Sequence, residues 1–273
     1  MKLTLCAAVF AASAVFAPAA MALSTFDLSD RTDPGACSQN ATNAGTFGNS
    51  WACSQNGSTA DELTARAYAN TGAGSTFAAA YLSDQTSSGF GVRNTADPGG
   101  SPNHAMDNGG TDGKLDTMLL SFNASIALSS LRLGWHNGDS DVTVLAWIGG
   151  EGDPTAALTR SSTATLLSSG WSLIGSYNNV GLTDKAINAG AISSSYWLIS
   201  AFNSSIGGTG SGLDMGDDYV KLQVVAGTFT CVKSTDPRCS GGGVPEPATL
   251  ALAGMALLGV VGSRRRRLCG KAD

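Results

Sequence analysis

The alternation of apolar and polar residues along the chain predicts β-strands. Five runs rich in β-branched and aromatic residues, each bounded by Gly, Asn, Asp or Ser, lie at residues 131–135, 141–148, 171–177, 196–202 and 218–230. Weaker runs lie at 63–69, 76–82 and 114–122. The pattern therefore predicts roughly eight or nine strands in an all-β domain, and short strands with glycine-rich turns favour a jelly-roll-like β-sandwich.

Helix signals are few. Asp153 and Pro154 precede residues 155–167 and can cap a helix there, although the many Ser and Thr residues of this segment are equally typical of an irregular loop. Residues 182–190 predict a further helical turn.

The N-terminus has the layout of a secretory signal. Lys2 precedes an apolar run that ends at Pro18, and Ala20 and Ala22 form an A-x-A arrangement of small residues. These features predict a signal peptide at residues 1–22. A membrane anchor is disfavoured because the apolar run is short and ends beside the cleavage site. We therefore expect residues 23–239 to be an exported domain.

The C-terminal tail combines three features in a fixed order. Residues 240–247 form a glycine-rich spacer that ends in the triplet Pro245, Glu246 and Pro247. Residues 248–273 begin with about fifteen uncharged residues, about 22 Å of helix, which is short of a hydrocarbon core of about 30 Å. Four arginines then follow, which cannot enter a protein core: Arg264, Arg265, Arg266 and Arg267. This order predicts a short transmembrane helix with its basic end in the cytoplasm.

The tail resembles the PEP-CTERM sorting signal. The resemblance rests on the triplet, the apolar residues 250–261 and the arginine block; the extension at residues 268–273 departs from it. It implies processing by an exosortase at the inner membrane, a membrane-tethered intermediate, and delivery to the cell surface or extracellular matrix of a Gram-negative bacterium. Residues 101–122 and 133–147 also resemble a group of exosortase-dependent surface proteins, which implies no biochemical activity.

Four cysteines fall within the predicted exported domain, namely Cys37, Cys53, Cys231 and Cys239. An even number of cysteines in an oxidising compartment predicts two disulfides. Among three connectivities we favour the nearest-neighbour pairs, Cys37 with Cys53 and Cys231 with Cys239. A zinc site is disfavoured because neither pair has C-x-x-C spacing.

Composition and charge exclude some partners. Charged residues are 14% of the chain, which is typical of exported proteins rich in Gly, Ser and Asn. Residues 23–243 contain ten basic and nineteen acidic residues, a net charge near −9. An acidic surface argues against binding to nucleic acid or anionic lipid, both of which favour basic proteins. The acidic charge is compatible with binding to cations and to neutral sugars.

Clustered oxygen ligands suggest a structural Ca²⁺. Asp107, Asp112 and Asp116 lie close together in sequence with Asn108, and Asp139 and Asp141 flank the start of a predicted strand. The spacing does not match an EF-hand loop. Asp, Asn and Gly are also the residues that form tight turns, and we favour that structural interpretation of the cluster.

Signals of catalysis are weak, so we expect a protein that is not an enzyme. His104 and His136 are far apart in sequence, and a structural role is the simpler interpretation of His136, which follows Trp135 at the end of a predicted strand. The chain has no G-x-S-x-G motif. The carboxylate pairs at residues 61–62 and 217–218 are adjacent, and adjacent residues of a strand point to opposite faces.

These features predict an exosortase-sorted surface or matrix protein with a structural or adhesive role. The alternative is a carbohydrate-binding module for extracellular polysaccharide, with a secreted polysaccharide-active enzyme less favoured. Five tryptophans could stack on sugars. Trp135, Trp147 and Trp197 lie in predicted strands and are expected in the core, whereas Trp51 is expected in a loop.

Overall fold

A computed structural model describes residues 23–32, 37–55, 58–98, 100–108 and 114–230. These residues form fourteen strands, two short α-helices and four single-turn 3₁₀ helices. The strands, β1 to β14 in chain order, are Leu23–Asp27, Ser38–Gln39, Ser50–Gln55, Ser58–Ala69, Ala78–Ala79, Tyr81–Asp84, Phe90–Arg93, Met106–Asp107, Asp116–Gly138, Val142–Trp147, Trp171–Tyr177, Lys185–Ala186, Ser194–Ala201 and Asp218–Phe229. The helices are α1 (Thr155–Arg160) and α2 (Ser204–Gly207).

Strand β9 organises the sheet because it is 23 residues long and pairs with different strands along its length. Residues 116–122 pair with β4 on one side, and residues 117–121 pair with β13 on the other. Residues 126–138 pair with β14, which in turn pairs with β1, β7 and β8. The main path of the sheet is β11-β10-β13-β9-β14-β7-β6, and all of these strand pairs are antiparallel.

The main core brings together aromatic rings of three strands, β1, β9 and β14, of which β1 and β9 do not pair with each other. Phe26 of β1 and Phe122 of β9 meet edge to face with ring centroids 5.4 Å apart, and Phe229 of β14 lies 6.2 Å from Phe122. Each ring is at most 5% exposed. Burial of each stabilises the fold by about 1.5–3 kcal/mol, to which each edge contact adds about 0.5–1.5 kcal/mol. The all-β prediction is confirmed, and a jelly-roll order of the strands stays a prediction.

A smaller apolar cluster lies under helix α1. Leu158 of α1 packs with Phe77, Leu198 and the indole of Trp171, all of them buried. The helix shows why only part of the predicted segment is helical. Asp153 accepts hydrogen bonds from the amide and hydroxyl of Thr155 at its start, whereas Ser161 ends it by donating its hydroxyl to the carbonyl of Ala157. The prediction of a helix through residue 167 is therefore wrong beyond Arg160.

The second helix prediction is also wrong. Residues 182–190 contain strand β12 and turns, because Lys185 and Ala186 pair with β9 and Asn188 adopts a φ of 55°. The side chain of Asn188 donates to the carbonyls of Leu128 and Ile192. Tertiary hydrogen bonds of this kind override a local helical preference.

The predicted disulfide between Cys37 and Cys53 is confirmed. Both cysteines are buried, and the bond joins the start of the β2 segment to β3. Cys231 and Cys239 lie outside the described residues, so their pairing stays a prediction. Within the described part of the chain, no helix is long and apolar enough to cross a membrane. The helix predicted at residues 248–273 and the signal peptide at residues 1–22 lie outside that part.

Candidate functional site

The structure describes two of the three aspartates predicted as calcium ligands. Asp107 ends β8 and Asp116 begins β9, and both are buried. An antiparallel bridge between Asn108 and Leu115 places the two segments side by side. Asp116 accepts a hydrogen bond from the side chain of Asn94 at 3.1 Å. Asp112 lies outside the described residues, so a calcium site of these three residues stays a prediction.

Asn108 has a structural role. Its side-chain nitrogen donates to the carbonyl of Phe202, and its oxygen accepts from the side chain of Asn203 at 3.0 Å. These bonds connect the end of β8 to the end of β13. They agree with the interpretation of this polar segment as turn and capping residues.

A different group of three carboxylates converges at one end of the sheet. Asp139 and Asp141 lie in the turn between β9 and β10, and Asp218 is the first residue of β14. One carboxylate oxygen of each residue lies within 4.8 Å of the other two. Asp141 and Asp218 are fully buried, whereas Asp139 is half-buried. The group is therefore open to solvent through Asp139.

Backbone amides hold two of these carboxylates in place. Asp218 Oδ1 accepts from the amide of Asp141 at 2.7 Å. Asp141 Oδ1 accepts from the amide of Asn179 at 2.7 Å, and Asp141 Oδ2 accepts from the amide of Asp214 at 3.3 Å. The carboxylates are thus fixed by main-chain groups of three separate loops, which gives the group a defined geometry.

Several carboxyl groups lie close together at this end of the domain, and their pKa values are raised. Burial and the charges of Asp141, Asp139 and Asp217 together raise the pKa of Asp218 to about 8, although the hydrogen bond from the Asp141 amide acts in the opposite direction. Burial also raises the pKa of Asp141. The pKa of the exposed Asp214 is raised chiefly by the charge of Asp217. Like charges that are held this close favour either a proton or a cation between them.

The sequence placed Asp139 and Asp141 together at a strand start but did not connect them to Asp218. The connection comes from the register of β9 and β14, which pairs Gly138 with Asp218. The adjacent residues 217 and 218 do differ in environment, since Asp217 is exposed and Asp218 is 1% exposed. The side chain of Asp61 lies outside the part of the chain that the structure describes, so the prediction about the pair at residues 61–62 is not tested.

A groove of about 530 Å³ lies on another part of the domain. Trp147 and Tyr196 line it together with Phe122, Asn123, Glu151 and the serines at 194 and 195. The Trp147 indole donates to the carbonyl of Gly150 at 2.8 Å and packs edge to face on Trp171 with ring centroids 5.5 Å apart. A groove of this size with aromatic and polar walls has the dimensions of a small-ligand site.

The tryptophans only partly follow the predictions. Trp197 is fully buried as expected, but Trp135 and Trp147 are half-buried. Trp135 contacts the ammonium of Lys221, which lies 4.1 Å from the ring centroid. Trp51 lies in strand β3 and not in a loop, and the Arg31 guanidinium lies 4.5 Å from its ring centroid. Residues 44–48 precede this strand as turns and a bend, which is why the sequence resembled a loop.

The two histidines lie in different surroundings. His104 is half-buried, and burial lowers its pKa, with the charge of Lys221 acting in the same direction. His136 is in β9, with Nδ1 3.3 Å from the carbonyl of Gly138. Neither belongs to the three-carboxylate group.

Comparison with known proteins identifies the tail. The family model for the PEP-CTERM protein-sorting motif matches residues 243–267, a range that contains the predicted triplet and all four arginines. The resemblance seen in the sequence is therefore confirmed. The motif implies export, an exosortase as the processing partner, and sorting toward the cell surface. Searches among curated proteins and among solved structures give no match.

Proposed function

We propose that the chain is an exosortase-sorted surface or matrix protein of a Gram-negative bacterium whose β-domain has a structural or adhesive role. The observation that carries the proposal is the sorting motif at residues 243–267, which follows an all-β domain with a buried disulfide. A disulfide is typical of domains that work outside the cytoplasm.

The features of the domain support such a role. Its core combines aromatic contacts with the Cys37–Cys53 bond, and β9 pairs with β4, β13 and β14 along its length. The ring centroids of Trp51 in β3 and Phe90 in β7 are 5.3 Å apart, although β3 does not pair with β7. We infer from this contact that the strands pack as a sandwich. The proposed role requires a stable exported domain and a sorting signal, and it requires no catalytic group.

Cell fractionation tests the proposal. We expect the wild-type protein on the outer surface of its native host, accessible to a membrane-impermeant biotin reagent. The variant Pro245→Ala, Glu246→Ala, Pro247→Ala should be retained with the inner membrane. Cells that lack the protein should adhere or aggregate less. Equal surface labelling of both proteins contradicts the sorting role, and unchanged adhesion contradicts the adhesive role.

Carbohydrate binding is the second candidate, and the groove at Trp147 and Tyr196 favours it. An aromatic ring beside serine hydroxyls and the carboxylate of Glu151 combines a stacking surface with hydrogen-bonding groups. The glycines beside the ring keep it in position, since a Cβ on Gly149 or Gly170 would lie 2.6 Å from Trp147. The expected ligand class is a neutral extracellular polysaccharide, because the domain is acidic.

A further inference from the structure

We propose that Asp139, Asp141 and Asp218 bind a Ca²⁺ ion at the end of the sheet where the β9–β10 turn meets the start of β14. The site is distinct from the one predicted at Asp107, Asp112 and Asp116. It does not depend on the sorting motif, because all of its ligands belong to the folded domain.

The geometry of the three carboxylates suits one ion. Calcium takes oxygen ligands at about 2.3–2.6 Å, so two oxygens on one ion are separated by at most about 5 Å. The three carboxylate oxygens lie within 4.8 Å of one another, which meets this condition. They come from two segments that are distant in sequence and are held by backbone amides, as expected of ligands with an ordered second layer of hydrogen bonds.

A second observation points to a ligand independently of the clustering. Asp218 is 1% exposed, and its Oδ2 is buried without a hydrogen-bond partner among the described residues. Its other oxygen, Oδ1, already accepts from the amide of Asp141. A buried carboxylate oxygen without a donor is costly, and coordination of a cation removes that cost.

The charges around the group favour a cation. In the part of the chain that the structure describes, the salt bridges join Arg31 to Asp84 and Arg132 to Asp184, and neither involves these three aspartates. The exposed Asp214 and Asp217 lie close enough to add to the negative field. The negative charge at this end of the sheet is thus left for an external cation.

The ligand chemistry selects calcium among the common ions. Carboxylates without His or Cys are hard ligands, which disfavours zinc. Magnesium requires a near-ideal octahedron, whereas calcium accepts irregular sets of six to eight oxygens, including water. The half-buried Asp139 leaves room for water ligands. Extracellular calcium modules bind with dissociation constants of about 10⁻⁴–10⁻³ M, and we expect a value in that range.

Calorimetric titration of the mature protein, stripped with EGTA, tests the site. We expect CaCl₂ to bind with one site per chain and MgCl₂ to bind more weakly. Saturating CaCl₂, at about 100 times the dissociation constant, should raise Tm by roughly 5 °C or more. Asp218→Asn should weaken binding by more than roughly tenfold and abolish the rise in Tm.

Two further variants make the result specific. Asp139→Asn removes a half-buried ligand and should also lose binding, even if Asp218→Asn impairs folding. Asp184→Asn makes the same change of charge at a side chain that pairs with Arg132 away from the group, and it should bind like wild type. Absence of heat and of a Tm shift in the wild type overturns the proposal. Equal calcium affinity of Asp139→Asn and Asp184→Asn overturns it as well.

Discussion

The backbone amide of Asp141 lies 2.7 Å from Oδ1 of Asp218, although the two residues are 77 positions apart in the chain. The carboxylate of Asp141 in turn accepts from the amide of Asn179 at 2.7 Å. Two aspartates therefore connect the β9–β10 turn, the loop after β11 and the start of β14. The same hydrogen bonds that fix this end of the sheet also concentrate negative charge there.

The metal-free protein should become less stable as the pH rises through this region. The pKa of Asp218 is about 8 in the folded state and 3.8 as a free side chain, so between these values the folded state binds one more proton than the unfolded state. In EGTA, the free energy of unfolding should fall by up to about 1.4 kcal/mol per pH unit from about pH 4 to about pH 8. Urea denaturation at several pH values measures this slope.

The control for this prediction is Asp218→Asn, which cannot ionise. The variant should flatten the slope and be at least as stable as wild type near pH 8 in EGTA. A wild-type slope that matches the slope of Asp218→Asn would mean that Asp218 does not carry the titration.

Loss of the Cys37–Cys53 bond should destabilise the domain. The two cysteines are 16 residues apart, and closing a loop of that size stabilises a fold by about 3 kcal/mol. The double variant Cys37→Ser, Cys53→Ser should lose about that much by urea denaturation. Peptide mapping without reduction should recover a linked peptide that contains both cysteines. A double variant as stable as wild type would contradict a structural role for the bond.

Gly89 should be among the least replaceable glycines. It has a φ of +78°, and a Cβ there would lie 2.1 Å from the carbonyl oxygen of Leu222 in β14. Gly45 has a similar φ of +71° but no atom within 4 Å of an added Cβ. We expect Gly45→Ala to cost about 1–2 kcal/mol of folding free energy and Gly89→Ala at least about 3 kcal/mol, because only the latter adds a backbone clash. Equal losses in thermal denaturation would contradict the clash.

Trp147→Ala should weaken binding to the polysaccharide of the native host if the groove is a sugar site. The loss of one stacking ring corresponds to roughly a tenfold lower affinity. Trp135→Ala is the matched control, because Trp135 is also half-buried but contacts Lys221 outside the groove. Affinity electrophoresis in gels that contain the polysaccharide compares them. Equal retardation of both variants, each with an unchanged circular dichroism spectrum, rejects the groove as the binding site.

Local patterns predicted the strands well where hydrophobic alternation was strong. The run at residues 171–177 coincides with β11, and the run at residues 218–230 differs from β14 by one residue. The runs at residues 114–122 and 131–135 are parts of one strand, β9. The polar residues between them resembled a break, but pairing with β14 and β12 keeps them extended. Long-range pairing of this kind is not encoded in local periodicity.

The candidate site could likewise not be predicted from local sequence, because it depends on long-range strand pairing. Sequence reasoning named Asp107, Asp112 and Asp116 as the candidate calcium ligands, although it favoured a turn-forming role for them. It placed Asp139 beside Asp141 without assigning them to a site with Asp218. Asp218 joins Asp139 and Asp141 only through the register of β9 and β14, and its burial depends on the core beneath it. The sorting tail, in contrast, was predictable from sequence because its recognition rests on a contiguous motif.

Intact mass spectrometry of the mature protein from its native host tests the central claim most directly. The mass of the wild-type protein should correspond to a chain without residues 1–22 and without the residues that follow the Pro245, Glu246 and Pro247 triplet. The variant with all three replaced by alanine should retain the tail through Asp273. A control variant, Asp236→Ala with Pro237→Ala, loses an acid and a proline upstream of the triplet and should be processed like wild type. A tail that persists through Asp273 in the wild type would contradict exosortase processing.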